Sequence, residues 1–269
     1  MGVLSEALHS GLDVVSALIA FFTVRAAVRP ADRDHPFGHG KIETLSSLFE
    51  SLLLVVAAAW IFFEALEHVR QPQPVLHQNL AIWTILVSAL VSFFMYRHNS
   101  LAATQSESSA IQANSLHFLA DAVSSCGILV GLLLLKFTGW LIIDPVIALL
   151  VALYILAISI PQIKRALFEL ADVQLPVDEV VRIESLVNEY KNQFIDFHDL
   201  RTRKSGSIRH IDFHLTVCGR LSVHQSHTLC DEIETSLLRS FQNASINIHV
   251  EPCDPKQHMC KNTNELLTS

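Results

Sequence analysis

Apolar and polar positions divide this chain into two parts. From Met1 to about Leu167 long apolar runs carry sparse charge, and from about Glu169 onward the sequence turns polar, charged and rich in histidine. A helix needs about 20 largely apolar residues to cross a bilayer. The first part offers five such stretches: Val3 to Val28, Glu43 to Leu66, Leu80 to Tyr96, Ala113 to Phe137 and Leu141 to Ile163. Hydrophobic helices of this length, with connectors as short as Lys136 to Trp140, are hard to solvate as a soluble bundle. The second part has other periods. An amphipathic helix over Val177 to Tyr190 precedes alternating runs at Phe197 to Lys204 and Ile208 to Val217, then a helix over Val223 to Phe241 and a short run at Ser245 to Glu251. The pattern predicts an α-helical membrane bundle over residues 1–168, a small α+β domain of order αββαβ over 169–254, and a disordered tail over 255–269.

Orientation follows from Lys and Arg near the ends of the spans, whose excess marks the cytoplasmic side. Arg25, Arg29, Arg33, Lys41, Arg97, Lys164 and Arg165 fall on one side, against Arg70 and Lys136 on the other. The first group shares its side with the polar C-terminal part, so that part is expected in the cytoplasm. Five spans then leave Met1 outside it, and the expectation is that a first helix is missing ahead of this sequence.

Charge and cysteine usage remove some classes of function. A net charge of -7 with no basic stripe argues against nucleic acid as a partner. The five cysteines are odd in number, scattered and without a C-x-x-C pair, which argues against a disulfide scaffold or a thiolate zinc finger. No G-x-x-x-x-G-K-[ST] phosphate loop occurs, so nucleotide-driven work is not indicated.

The polar exceptions within the apolar stretches carry the chemistry. His9 and Asp13 sit four apart in the first stretch, and His117 and Asp121 repeat the device in the fourth. On a helix this spacing puts both side chains on one face, with Cβ atoms about 5–6 Å apart. Ionisable groups inside hydrocarbon are costly and mark an ion path or a pair. Two imidazoles and two carboxylates make a four-ligand set that suits tetrahedral Zn²⁺. Glu6 and Glu50 also lie in the apolar stretches, where either could relay protons or ions, and for both the expected role is a satisfied interhelical or interfacial carboxylate. Gly127 and Gly131 form a small-x-x-x-small strip that would admit a close neighbour.

Two further groups gather metal-ligating types. In the connector Pro30 to Lys41, Asp32, His35 and His39 could close on one ion, with Gly38 and Gly40 allowing a tight turn. In the polar part His198, His214, His227 and His249 fall on or beside different elements, and alternation puts His249 and Glu251 on one strand face.

Together these stretches resemble the cation diffusion facilitator family, especially its bacterial zinc and iron efflux branch. The resemblance rests on His9-Ser-Gly-Leu-Asp13, Asp34-His-Pro-Phe-Gly-His-Gly-Lys41, His117-Phe-Leu-Ala-Asp121, His198-Asp-Leu-Arg-Thr-Arg203 and His249-Val-Glu-Pro-Cys253. It implies a homodimer in the cell inner membrane, with six membrane helices per subunit in the family against five here, and a cytoplasmic ferredoxin-like domain. It implies a transport site of His9, Asp13, His117 and Asp121, a loop site of Asp32, His35 and His39, and a cytoplasmic site of His198, His214, His227, His249 and Glu251. Lys41 and Asp172 match a charge pair that ties the subunits together. His9 replaces an Asp common in close bacterial relatives, and Glu251 replaces an Asp, lengthening that ligand arm.

The expected activity is efflux of a divalent metal, Zn²⁺ first, with Fe²⁺, Cd²⁺ or Co²⁺ as alternatives, in exchange for protons and by alternating access. No prosthetic group is expected; metal is substrate and regulatory ligand. A competing reading is a metal sensor or dimer partner that does not transport. A third, an intramembrane metalloenzyme, is disfavoured because four protein ligands fill the tetrahedron and no HExxH motif occurs.

Overall fold

Apolar runs become long helices because the bilayer leaves backbone groups no partner except their own helix. The computed structural model describes residues 18–70, 78–140 and 142–254, with side chains from 83 onward in the third helix. The first span is described from Leu18, as α1 (Leu18–Ala27). There follow α2 (Gly40–Arg70), α3 (Gln78–Ser106), α4 (Ser109–Thr138) and α5 (Ile143–Leu170). By length and composition α2, α4 and α5 each suffice to cross a membrane.

At α4 local caps, rather than hydropathy, set the ends. Ser108 caps α4 by accepting a hydrogen bond from Ile111 N (3.2 Å), and Gly139 stops it in the left-handed conformation, donating to Leu135 O at 2.8 Å. Leucine, valine and phenylalanine side chains stand exposed along the outer faces, as lipid contact requires (Val56, Phe63, Val91, Phe94, Leu150 and Leu153 among them).

Between helices the contacts are small. Ala58, Ala110, Ala113, Ala120 and Ala152 are buried, and a Cβ added at Gly127 would lie 2.6 Å from Val151 Cγ2 of α5. The glycine strip of α4 therefore faces α5, and backbones approach closely where no bulk intervenes. Leu54 and Ala58 of α2, Ala120 of α4, and Val151 and Ile155 of α5 form the apolar centre of this unit.

The chain divides after Leu170 into a second unit. It runs α6 (Val177–Asn188), β1 (Asp196–Ser205), β2 (Ile208–Val217), α7 (Val223–Ser240) and β3 (Ala244–Pro252), in the αββαβ order that the periods predict. The sheet order is β1-β2-β3, with β1 antiparallel and β3 parallel to β2. Ile211, Phe213, Leu215 and Val217 of the central strand pack with Val180, Ile183 and Val187 of α6 and Leu229, Ile233 and Leu237 of α7. One sheet face is thus covered by the helices, and the alternate residues His210, Asp212, His214 and Thr216 belong to the other. Ser222 and Gln225 form a capping box at the start of α7. Cys126 and Cys230 are free thiols, whereas Cys218 is disulfide-bonded, which the scattered cysteines did not foretell.

Candidate metal centres

The membrane unit presents one of the two predicted pairs. His117 and Asp121 lie one turn apart on α4, with His117 Nε2 3.6 Å from Asp121 Oδ2 and side chains only 11% and 18% exposed. His117 belongs to the buried stripe Ala110, Ala113, His117, Ala120, so the 3.6-residue period turns the imidazole inward among small side chains. His9 and Asp13 lie outside the described residues. Glu50 departs from its expected role as a satisfied carboxylate: it is fully buried, and neither oxygen has a hydrogen-bond partner.

The connector before α2 folds around Asp32. Its Oδ1 accepts hydrogen bonds from the backbone N–H of His35 (2.7 Å) and of Asp34 (3.0 Å). Gly38 turns the chain at φ +81° and donates to His35 O, bringing His39 back to the carboxylate. His35 Nδ1 then stands 3.2 Å from Asp32 Oδ1, and His39 Nε2 3.3 Å from Oδ2. One ligand atom from each of the three lies within 4.8 Å of the others. Asp32 and His35 face solvent while His39 is 8% exposed, and His39 Nδ1 is buried with no hydrogen-bond partner. The backbone N–H of His35, above all, holds the Asp32 carboxyl below its ordinary 3.8, so it is a ready anion at neutral pH.

The sheet gathers a second group. Register places His198 opposite His214 and His214 beside His249, a row across all three strands. Ring centroids stand 5.4 Å apart for His198 and His214, and 4.7 Å for His214 and His249. Glu251 reaches all three: Oε2 is 3.5 Å from His198 Nε2, and Oε1 is 3.2 Å from His214 Nδ1 and 3.6 Å from His249 Nε2. His198, His214 and Glu251 could hold one ion from ligand atoms within 4.8 Å of one another. His227 is placed otherwise: it stands 73% exposed on α7, beside Asp231 of its own helix at 3.5 Å.

Sequence reasoning missed two acids here. Asp196 Oδ2 lies 3.0 Å from His198 Nδ1, and Asp199 Oδ2 lies 3.7 Å from His214 Nε2. Simple alternation puts Asp199 on the face opposite His198. The β1–β2 register slips between His198 and Arg201, with Asp199 at φ +52°, and this bulge turns the aspartate toward the histidine row. Its only sequence signal is an Asp beside the His in the strand. Lys41 and Asp172 are each described within their own unit: Lys41 Nζ donates to Leu170 O at 3.4 Å, and Asp172 Oδ1 lies 3.5 Å from Arg203 Nη1.

Similarity to known proteins covers both units. Residues 1–171 match the cation efflux transmembrane domain, and residues 175–253 match the cytoplasmic domain of cation efflux proteins. The uncharacterized transporter sll1263 of Synechocystis sp. is 36% identical over 262 residues, or 95% of this chain and 83% of that protein. The cation-efflux pump FieF of Yersinia enterocolitica is 32% identical over 252 residues, or 94% of this chain and 83% of the pump. The metal-bound C-terminal domain of the CzcD transporter from Thermotoga maritima is 26% identical, with a TM-score of 0.27; the match covers 29% of this chain and 94% of that domain.

Proposed function

The chain belongs to the cation efflux family, the cation diffusion facilitators, and on that premise we propose that it exports Zn²⁺ in exchange for protons. It is a multi-pass membrane protein of the cation efflux class with a cytoplasmic C-terminal domain, and not an enzyme. The reading narrows that class to a metal, a counter-ion and a site.

The observation that carries it is the buried pair His117 and Asp121, 3.6 Å apart in a helix long enough to span the membrane. An imidazole and a carboxylate so placed hold a divalent ion that would otherwise lose its hydration in hydrocarbon. With His9 and Asp13 they form a four-ligand nitrogen and oxygen set, which favours Zn²⁺ over harder cations. Metal binds only neutral imidazole, so each entering ion displaces protons and each arriving proton favours release. Alternating access around this site exchanges the two without a nucleotide.

The loop site of Asp32, His35 and His39 and the cytoplasmic site around Glu251 bind metal outside the membrane and act as regulatory sites. The cytoplasmic site works in a homodimer, where His227 is available to a partner subunit and where Lys41 and Asp172 form the charge pair that joins subunits.

Asp121→Ala tests the reading. Reconstituted in vesicles with a proton gradient, the variant stays folded and loses Zn²⁺ flux. Undiminished flux removes His117 and Asp121 from the transport path.

A further inference from the structure

Glu50 stands out among the buried polar groups of the membrane unit. Its side chain is 0% exposed and neither oxygen accepts a hydrogen bond. Buried hydroxyls of the same unit are committed elsewhere: Ser51 Oγ donates to Ser47 O, Ser159 Oγ to Ile155 O, and Thr44 Oγ1 to Glu169. Gln162 Nε2 donates to Ser47 Oγ. A carboxyl group without a donor inside a membrane bundle needs a proton or a cation.

The helix register shows the depth at which it lies. Glu43 Oε1 accepts from Ala110 N at 3.3 Å, which aligns α2 with α4 near the start of each. Farther along, Leu54 and Ala58 of α2 share an apolar cluster with Ala120 and Val123 of α4, so the two helices run the same way. Seven residues beyond Glu43 and Ala110 stand Glu50 and His117. Equal steps of about 10.5 Å put them at one depth on two helices that pack together. The approach along α2 is polar as well, with Glu43, Thr44, Ser46 and Ser47 all buried.

We propose that Glu50 is a further oxygen donor to the divalent ion held by His117 and Asp121, contributed by a helix outside the two His-x-x-x-Asp motifs. This rests on the transport site described above. The ion supplies the positive partner that the carboxylate lacks, and Glu50 lets the site accept metal from the α2 side.

Zn²⁺ uptake into vesicles containing the full chain tests this. Glu50→Gln keeps the shape of the side chain and removes its charge. It raises KM for Zn²⁺ about tenfold or more, the scale of loss seen even for groups one shell from a metal, and Glu50→Asp recovers part of it. An unchanged KM in Glu50→Gln, with flux abolished in Asp121→Ala, overturns the role of Glu50 and leaves the transport site standing. Undiminished flux in Asp121→Ala overturns both. Should Glu50→Gln fold poorly, Glu50→Cys reports position directly in Cd²⁺-loaded protein. It gains ultraviolet cadmium–thiolate absorption over the parent and loses the gain when Asp121→Ala is added. No gain in folded Glu50→Cys overturns the proposal.

Discussion

Glu251→Ala, made in residues 171–254 produced alone, separates a metal site from a chance collection of surface histidines. This unit has its own core, so it is expected to unfold cooperatively. The carboxylate stands within 3.2–3.6 Å of three imidazoles, and its removal deprives any bound ion of its one oxygen ligand from that row. A loss of about 10–100-fold in zinc affinity is the expected scale. At free Zn²⁺ near 100 times the parent Kd, binding stabilises the parent by about 2.7 kcal/mol; at the same Zn²⁺ the variant retains about 1.4 kcal/mol after a tenfold loss and about 0.4 kcal/mol after a hundredfold loss. In a domain of this size each kcal/mol moves Tm by about 4–8 °C. The parent therefore gains about 11–22 °C from zinc, and the variant as little as about 2–3 °C after the larger loss. Without metal the two melt close together, because Glu251 is 37% exposed and its contacts lie at the surface, where such pairs are worth about 0–1 kcal/mol. Thermal melts by circular dichroism, with and without Zn²⁺, read both differences. His227→Ala, on an exposed residue beside Asp231 on α7, keeps the full zinc gain when the unit is diluted to a monomer. A full zinc gain in Glu251→Ala refutes the site.

Three other outcomes are expected. Asp32, with its carboxyl held below 3.8, keeps its charge as pH falls from neutral, so its share of metal binding at the loop site is lost only below that value; a titration of bound Cd²⁺ reads this, and Asp32→Ala weakens binding already at neutral pH. Gly127→Leu forces bulk where a Cβ already meets Val151 at 2.6 Å. It destabilises the α4–α5 contact by about 1–3 kcal/mol, seen as a lower temperature for loss of the monodisperse peak on heating in detergent. Ser222→Ala removes the capping box of α7 and costs the cytoplasmic unit about 1 kcal/mol in urea unfolding, with the slope of the transition unchanged.

Several elements were legible because they depend on one segment at a time. Apolar runs of membrane length marked α2 to α5, and a period of two marked β2 and β3 within a residue or two of their observed ends. The four-residue spacing of His117 and Asp121 made them neighbours on any helix. Alternation likewise put His249 beside Glu251.

What stayed hidden depends on which segments meet. Nothing in the local pattern of α2 shows that Glu50 is left without a donor; that follows from where α2 packs against α4 and α5. Asp199 was hidden by a bulge that breaks the period used to read its strand, and the row His198, His214, His249 exists only because of the register of three strands. His227 was grouped with these histidines, yet it lies on a helix whose packed face bears Leu229, Ile233 and Leu237.

By itself, then, the sequence determined a membrane bundle followed by an αββαβ domain, and the ligand types available to a metal. Only the tertiary structure decided which ligands stand within reach of one another and which carboxylate is buried without a partner. The physical reason is that periodicity is a property of a single helix or strand, whereas coordination and desolvation are properties of the space that several of them enclose.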